Sequence, residues 1–325
     1  MAIIFDFEAG KDFHFASAFA ERFGRTAVND RVSLPEMLGE GFIQEIYLDS
    51  GLSLCLHHYT LRQEFVLRRG ASGIACGKPP ATEGATNVLT MKFSMGKDGE
   101  VEFGTGNFFT ELSIPPGENI NFLVIVTTRQ TLLQLLKPGR EEVAMESIIR
   151  DNLSFVFYEG MTREMERALR QLLLIDETTK LPGLFYQTKA QELIYFLFAR
   201  LLSRHAGASV TVNREDAEKI YRVRAGILTD LSSPPQLPAL ARNIGMSATR
   251  MKQLFRQIFG DSIYNYYQTA RMNEAAHLLS HQSVSEVGYS VGFTNLSHFT
   301  RLFEKHHQMK PKRYKDSLEG KLSFD

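Results

Sequence analysis

The sequence predicts an α+β chain: a small antiparallel β-barrel with two or more helices, then an all-helical domain in which one helix pair occurs twice around a long helix. Two observations carry this prediction. Through the first half, apolar and polar residues alternate with period two between glycine and proline breakers; from residue 217 onward every segment has helical period. A length of 325 residues is ample for two domains, each with its own core.

The strand patterns come first. Leu52, Leu54 and Leu56 alternate with Ser53, Cys55 and His57, and Leu89, Met91 and Phe93 alternate with Val88, Thr90 and Lys92. In the next run Ile120, Phe122, Val124 and Val126 share a face. Gly70, Gly73, Gly77 to Pro80, Gly96, Gly99 and Pro115-Pro116-Gly117 supply the turns. The period then lengthens. Met165, Ala168, Leu169, Leu172 and Leu173 mark one helix, and Leu193, Ile194, Leu197, Phe198, Leu201 and Leu202 mark a second from about Thr188 to Arg204. The apolar face of that second helix is broad enough to pack within its domain and also meet a second subunit. The small residues of 206–213 read as a linker, so the expected organisation is 1–205, a linker at 206–216, and 217–325.

In the second domain Ile220, Val223, Ile227 and Leu231 mark a first helix, ended by Ser232-Ser233-Pro234-Pro235. Leu237, Leu240, Ala241 and Ile244 then stand at positions 0, 3, 4 and 7 of a short helix, with Gly245 free to turn and Ser247 able to cap the next helix. That next helix has two faces: Met251, Leu254, Phe255 and Ile258 are apolar, while Thr249, Lys252, Gln253 and Arg256 are polar. The pattern recurs about 48 residues later. Val284, Val287, Gly288 and Val291 precede the turn Gly292-Phe293-Thr294-Asn295, and Phe299, Leu302, Phe303 and His306 oppose Ser297, Thr300, Arg301 and Glu304. Between the pairs lies one long helix, about Ser262 to Leu279. This is the helix-turn-helix design, in which a buried stripe seats the second helix and its other face offers side chains to the DNA major groove.

Charge agrees with that design. The formal net charge is zero, yet residues 219–315 hold fourteen Lys and Arg against five Asp and Glu, a net of +9 that leaves −9 elsewhere. A basic module joined to an acidic one suits a chain of which only one part meets a polyanion. An apolar fraction of 43% and a charged fraction of 23% indicate globular domains. No basic segment followed by a long apolar run opens the sequence, and no eighteen-residue apolar stretch occurs, so a cytoplasmic protein without a membrane span is expected. Cys55 and Cys76 share no CxxC spacing and read as reduced, buried small hydrophobes.

Residues 221–314 resemble the AraC/XylS family of transcription regulators. The resemblance rests on LARNIGMSATRMKQLFRQIFG, on YNYYQTARMNEAAHLL, and on VSEVGYSVGFTNLSHFTRLFEKHHQMKPKRY. Two positions depart from the family: Gly288 stands where alanine is usual, and Gln308 where glycine is common after the last recognition helix. The resemblance implies base contacts by Thr249, Lys252 and Gln253 in the first unit and by Ser297, His298 and Arg301 in the second. It implies phosphate contacts by Arg250, Arg256, Arg271, Lys305, Lys310, Lys312 and Arg313. It also implies double-stranded DNA and RNA polymerase as partners and activation of transcription; a homodimer is expected from the broad apolar face of the helix from about Thr188 to Arg204.

The amino-terminal half then corresponds to a ligand-sensing, cupin-like barrel. The segment ALRQLLLIDETTKLPGLFYQTKAQELIYFLFARLL is similar to the helical region of pyochelin and yersiniabactin regulators, through the turn Pro182-Gly183-Leu184 and the run Lys189 to Leu193. That branch implies a small-molecule effector, with a ferric siderophore as the candidate. Such a ligand brings its own iron donors, and the sequence offers no metal cluster of its own. His57 and His58 are adjacent on a strand and point to opposite faces, so His57 reads as a satisfied structural histidine. Arg62, Arg68 and Arg69 are possible pocket residues, or a solvated strand edge. Two alternatives stand beside this: a cupin-like metalloenzyme fused to a DNA-binding domain, and a regulator controlled by a protein partner. The first lacks an HxH pair, and no GxSxG, phosphate-binding glycine loop or HExxH occurs, so neither a catalytic residue nor a cofactor is expected.

Overall fold

The computed structural model describes residues 2–7, 14–28, 30–69, 87–96, 99–106, 110–137, 149, 155–176, 178–203 and 214–318. They separate into two compact units, Met1–Arg214 and Glu215–Asp325. The first is rich in strands and the second is helical, as the change of period predicts.

The first unit contains β1 (Ile3–Phe7), α1 (Phe15–Arg22), β2 (Arg31–Ser33), β3 (Gly39–Leu48), β4 (Leu52–Leu61), β5 (Phe65–Arg69), β6 (Val88–Ser94), β7 (Glu100–Thr105), β8 (Thr110–Ile114), β9 (Asn119–Thr128), α2 (Arg129–Leu136), β10 (Val156–Gly160), α3 (Arg163–Leu173) and α4 (Pro182–Ser203). Among the described residues the strands form a seven-stranded antiparallel sheet, ordered β10-β7-β6-β9-β4-β3-β2, and a three-stranded sheet, ordered β1-β5-β8. The all-antiparallel expectation has one exception: β1 runs parallel to β5. A helix and three strands intervene, enough chain to return to the same end, as a parallel pairing requires.

The seven-stranded sheet is covered on both faces. Leu54, Leu56, Met91, Phe93, Phe103, Leu123 and Ile125 pack on Met165, Leu169 and Leu172 of α3 and on Leu193, Leu197 and Phe198 of α4. The opposite face meets α1 and the smaller sheet through Phe5, Phe15, Phe19, Ile43, Tyr59, Phe65 and Phe122. Each such buried Leu or Phe contributes about 1.5–3 kcal/mol, so the two layers dominate the unit's stability. Thr162 starts α3 by accepting from the Met165 N–H. The second predicted helix begins earlier than expected, at Pro182 rather than near Thr188. Pro182-Gly183-Leu184 is therefore the first turn of α4, and Leu181, with φ of 51°, makes the turn before it.

The second unit contains α5 (Arg214–Thr229), α6 (Leu237–Asn243), α7 (Ala248–Phe259), α8 (Ile263–Leu278), α9 (Val284–Ser290), α10 (Leu296–His307) and α11 (Pro311–Leu318). Of the expected linker, residues 214–216 open α5; residues 206–213, like Cys76, Arg204 and the Gly70 to Pro80 breakers, lie outside the described residues. The connector α8 is buried along most of its length through Ile263, Tyr267, Ala270, Arg271, Met272, Ala275 and Ala276, which makes it the core of this unit.

Candidate nucleic-acid interface

Helices α6 and α7 form the first pair. Pro238 lies in the first turn of α6, where its missing N–H costs little, and Gly245 turns the chain with φ of 61°. The Ser247 hydroxyl accepts from the Arg250 N–H at 3.3 Å and caps α7, and Gly260 closes its far end at φ of 75°. Met251, Leu254, Phe255 and Ile258 are fully buried, whereas Thr249, Arg250, Lys252, Gln253 and Arg256 are exposed. The buried stripe fixes the rotation of α7 about its axis and so decides which side chains reach solvent.

Helices α9 and α10 repeat the arrangement. Ser283 and Glu286 form a reciprocal capping box at the start of α9, and these bonds hold the Glu286 carboxyl below its usual pKa. Gly292 turns the chain at φ of 80°, and the Asn295 side chain accepts from the Ser297 and His298 N–H groups at 2.9 and 3.1 Å. Phe299 and Phe303 are fully buried, and Ser297, His298, Arg301 and Lys305 are exposed. His306, expected in the buried stripe, is exposed. Its neighbour His307 packs on Phe303 at 4.5 Å and bonds the Met272 carbonyl instead, because it stands four residues after Phe303 and so continues the Phe299–Phe303 face of the helix. Lys310, Lys312 and Arg313, around the start of α11, are exposed.

The structure therefore brings the six expected base-contacting side chains to the exposed faces of two equivalent helices. Two of the expected phosphate contacts differ. Arg271 is buried at 6% exposure: its Nε donates to the Val291 carbonyl, and its guanidinium lies 3.9 Å from the Phe293 ring centre. It cannot reach a phosphate, and burial lowers its pKa. Arg250 is exposed, but its Nη2 is 2.5 Å from Asp216 Oδ2 on α5. Sequence reasoning missed Asp216 in that role, and it missed the Asn295 cap. The second was legible, since Asn295 directly precedes a helix of known phase.

A second polar cluster lies in the first unit, on the sheet face that meets α1. His57 and His58 do point to opposite faces: His58 pairs with Asn121 at 2.5 Å, while His57 is buried against Phe122 at 4.0 Å and Phe15 at 4.9 Å. His57 is not fully satisfied. Its Nε2 is 3.3 Å from Cys55 Sγ, but Nδ1 has no hydrogen-bond partner, nor does the buried Tyr59 hydroxyl on the same strand face. Burial, with a smaller contribution from Lys92, pushes the His57 pKa down to about 3. Arg62 is exposed and donates to the Glu36 carbonyl at 2.9 Å, Arg68 is half-buried, and the Arg69 side chain lies outside the described residues. Among the described residues no three His, Cys, Asp or Glu side chains converge to hold a metal, and no helix is long and apolar enough to cross a membrane.

A family model described as a helix-turn-helix domain matches residues 240–317. Regulatory protein PchR of Pseudomonas aeruginosa is 34% identical over 64 residues, 20% of this chain and 22% of that protein. The arabinose operon regulatory protein of Escherichia coli K12 is 29% identical over 89 residues, 27% and 30% of the two chains. The transcriptional activator RhaS of Escherichia coli O1:K1 is 23% identical over 166 residues, 50% and 57%. The chain thus matches about a fifth to just over half the length of these relatives.

Proposed function

We propose that the helical unit, which a helix-turn-helix family model matches over residues 240–317, is an AraC-type domain, and that the protein is a transcription regulator that reads a two-element DNA site and activates transcription under control of a small-molecule effector. The observation that carries the DNA reading is the repeated geometry: two capped helices, each seated by a fully buried stripe, with Thr249, Lys252 and Gln253 exposed on one and Ser297, His298 and Arg301 on the other. Lys and Arg offer donors to guanine O6 and N7, Gln can pair bidentately with adenine, and the hydroxyls and His298 complete the readout. Arg256, Lys305, Lys310, Lys312 and Arg313 contact phosphates. Selection from randomised duplexes with Lys252→Ala and Arg301→Ala tests this: each substitution should relax one element and leave the other intact. Loss of both elements in either variant, with the fold retained, contradicts it.

The effector reading rests on the cluster at His57. A buried polar atom without a partner costs about 1–3 kcal/mol, and a polar ligand held between the two sheets, read as the walls of a small barrel, would satisfy both His57 Nδ1 and the Tyr59 hydroxyl. The siderophore candidate draws on the resemblance of residues 168–202, and a ferric siderophore would supply its own iron donors. Leu184, Tyr195 and Leu202, exposed on α4, support a dimer contact, and RNA polymerase is the partner that activation requires. Raised thermal stability with a ferric siderophore, lost in His57→Phe, supports the effector reading; no shift with any member of a small-molecule panel counts against it.

A further inference from the structure

The two helix pairs of the second unit are fastened to the rest of that unit by side chains that lie close together on α8. Tyr266 meets the first pair: its ring lies 5.4 Å from Phe255 and 5.3 Å from Phe259 of α7, and its hydroxyl accepts from Arg224 of α5 at 2.6 Å. Arg271, with Tyr267 beside it, meets the second. Arg271 bonds the Val291 carbonyl at the end of α9 and lies 3.9 Å from the Phe293 ring centre and 5.3 Å from that of Tyr267. Tyr267 in turn donates to the Leu231 carbonyl at 3.1 Å, in the loop after α5.

That loop closes the arrangement. Asp230 Oδ1 accepts from the N–H and the hydroxyl of Ser232 at 2.8 and 2.6 Å, which shapes the backbone there. Gly292, the turn residue of the second pair, lies so near it that a Cβ would sit 1.9 Å from the Ser232 carbonyl oxygen. The second pair's turn is thereby held between α8 and the α5–α6 loop, and α5 itself is tied to α7 through Asp216 and Arg250. From Tyr266 to Arg271 the rise along the helix is only about 7.5 Å. The guanidinium buried at this place faces the turn of the second pair and not solvent.

We infer that Arg271, with Tyr267 and Gly292, is a positioning element that fixes the separation of the two recognition helices and so sets which spacing between the two DNA elements is bound. The inference rests on the DNA reading above. One added base pair moves an element by about 3.4 Å along the duplex and turns it by about 35°. A pinned joint cannot follow that displacement, whereas a joint without its pin can. Lysine would not replace the pin, because stacking on Phe293 uses the flat face of the guanidinium.

The test uses the full-length protein and the site selected by the wild type, with the spacer between its two elements changed by one or two base pairs either way. Binding by wild type, Arg271→Met and Tyr267→Phe is measured on each duplex, and circular dichroism and the thermal midpoint report the fold. Wild type should lose about tenfold or more for one base pair, the size of a poor base-pair match. In Arg271→Met that penalty should shrink to about two- or threefold, and in Tyr267→Phe it should be intermediate. Folded variants that weaken on every duplex equally, with the wild-type spacing profile, would overturn the inference, because the side chains would then only support the fold. If Arg271→Met unfolds, Tyr267→Phe decides: a flattened profile supports the joint and an unchanged one overturns it. A wild type that selects no two-element site overturns the DNA reading itself, a result distinct from an unchanged profile on a site that is bound.

Discussion

Arg250 and Asp216 form a 2.5 Å ion pair that joins the first turn of α7 to the first turn of α5. Asp216 is largely buried and its charge suits a helix start, while the Arg250 side chain is 45% exposed. Solvent screening limits such a pair to about 1 kcal/mol. Arg250→Ala and Asp216→Asn should each lower the thermal midpoint of the helical unit by a few degrees. The slope of log affinity against log salt should not change in Arg250→Ala. A slope smaller by about one, without loss of stability, would mean that Arg250 serves a phosphate instead.

Acid should weaken the first unit through His57. Its folded pKa is about 3 and its ordinary value 6.5, because burial between Phe15 and Phe122 opposes the charged ring. The unfolded chain therefore binds the extra proton as pH falls. This contribution to stability is complete above pH 6.5 and is lost between 6.5 and about 3, at up to about 1.4 kcal/mol per pH unit. Denaturant titrations at pH 7, 6 and 5 should show the decline in wild type and a shallower one in His57→Phe. Equal declines would remove His57 as the cause.

Gln308 occupies the left-handed position that ends α10, with φ of 56°. A side chain there costs about 1–2 kcal/mol, part of which the Gln308 Nε2 bond to the Lys305 carbonyl at 3.1 Å recovers. Gln308→Gly should stabilise the protein by about 1 kcal/mol, and Gln308→Ala should destabilise it because the strain stays and the bond goes. Calorimetry of the two variants reads this directly.

Gly288 is explained by packing. A Cβ there would lie 2.6 Å from Leu296 Cδ2 and 3.2 Å from Phe299 Cδ1. Alanine gains up to about 1 kcal/mol of helix propensity but must displace Leu296 and crowd the buried Phe299, which costs about 1–3 kcal/mol. Gly288→Ala should therefore destabilise the wild type and become neutral or stabilising once Leu296→Ala has cleared the space. The same sign in both backgrounds would show that Leu296 is not the obstacle.

The helix pairs were legible because each has one buried and one exposed face, and the 0, 3, 4, 7 spacing records that division. Arg271 was not, because α8 is buried on several faces and its pattern cannot distinguish a charge facing DNA from one capping a neighbouring helix. The seven-stranded sheet was only partly legible for the same reason. With both faces covered, β9 carries an unbroken apolar run from Phe122 to Val126, and β1 against β5 is a pairing between distant segments that no local pattern encodes. Asp216 reads as a helix-start carboxylate, and only the fold brings Arg250 to it.

Selection of randomised duplex DNA by the full-length protein, repeated across a range of salt, tests most directly whether the two equivalent recognition helices read two DNA elements at once. The enriched site should hold two elements about one helical turn, roughly 34 Å, apart, and affinity should fall steeply as salt rises. Enrichment of a single element, or salt-sensitive binding with no sequence preference, would contradict that reading.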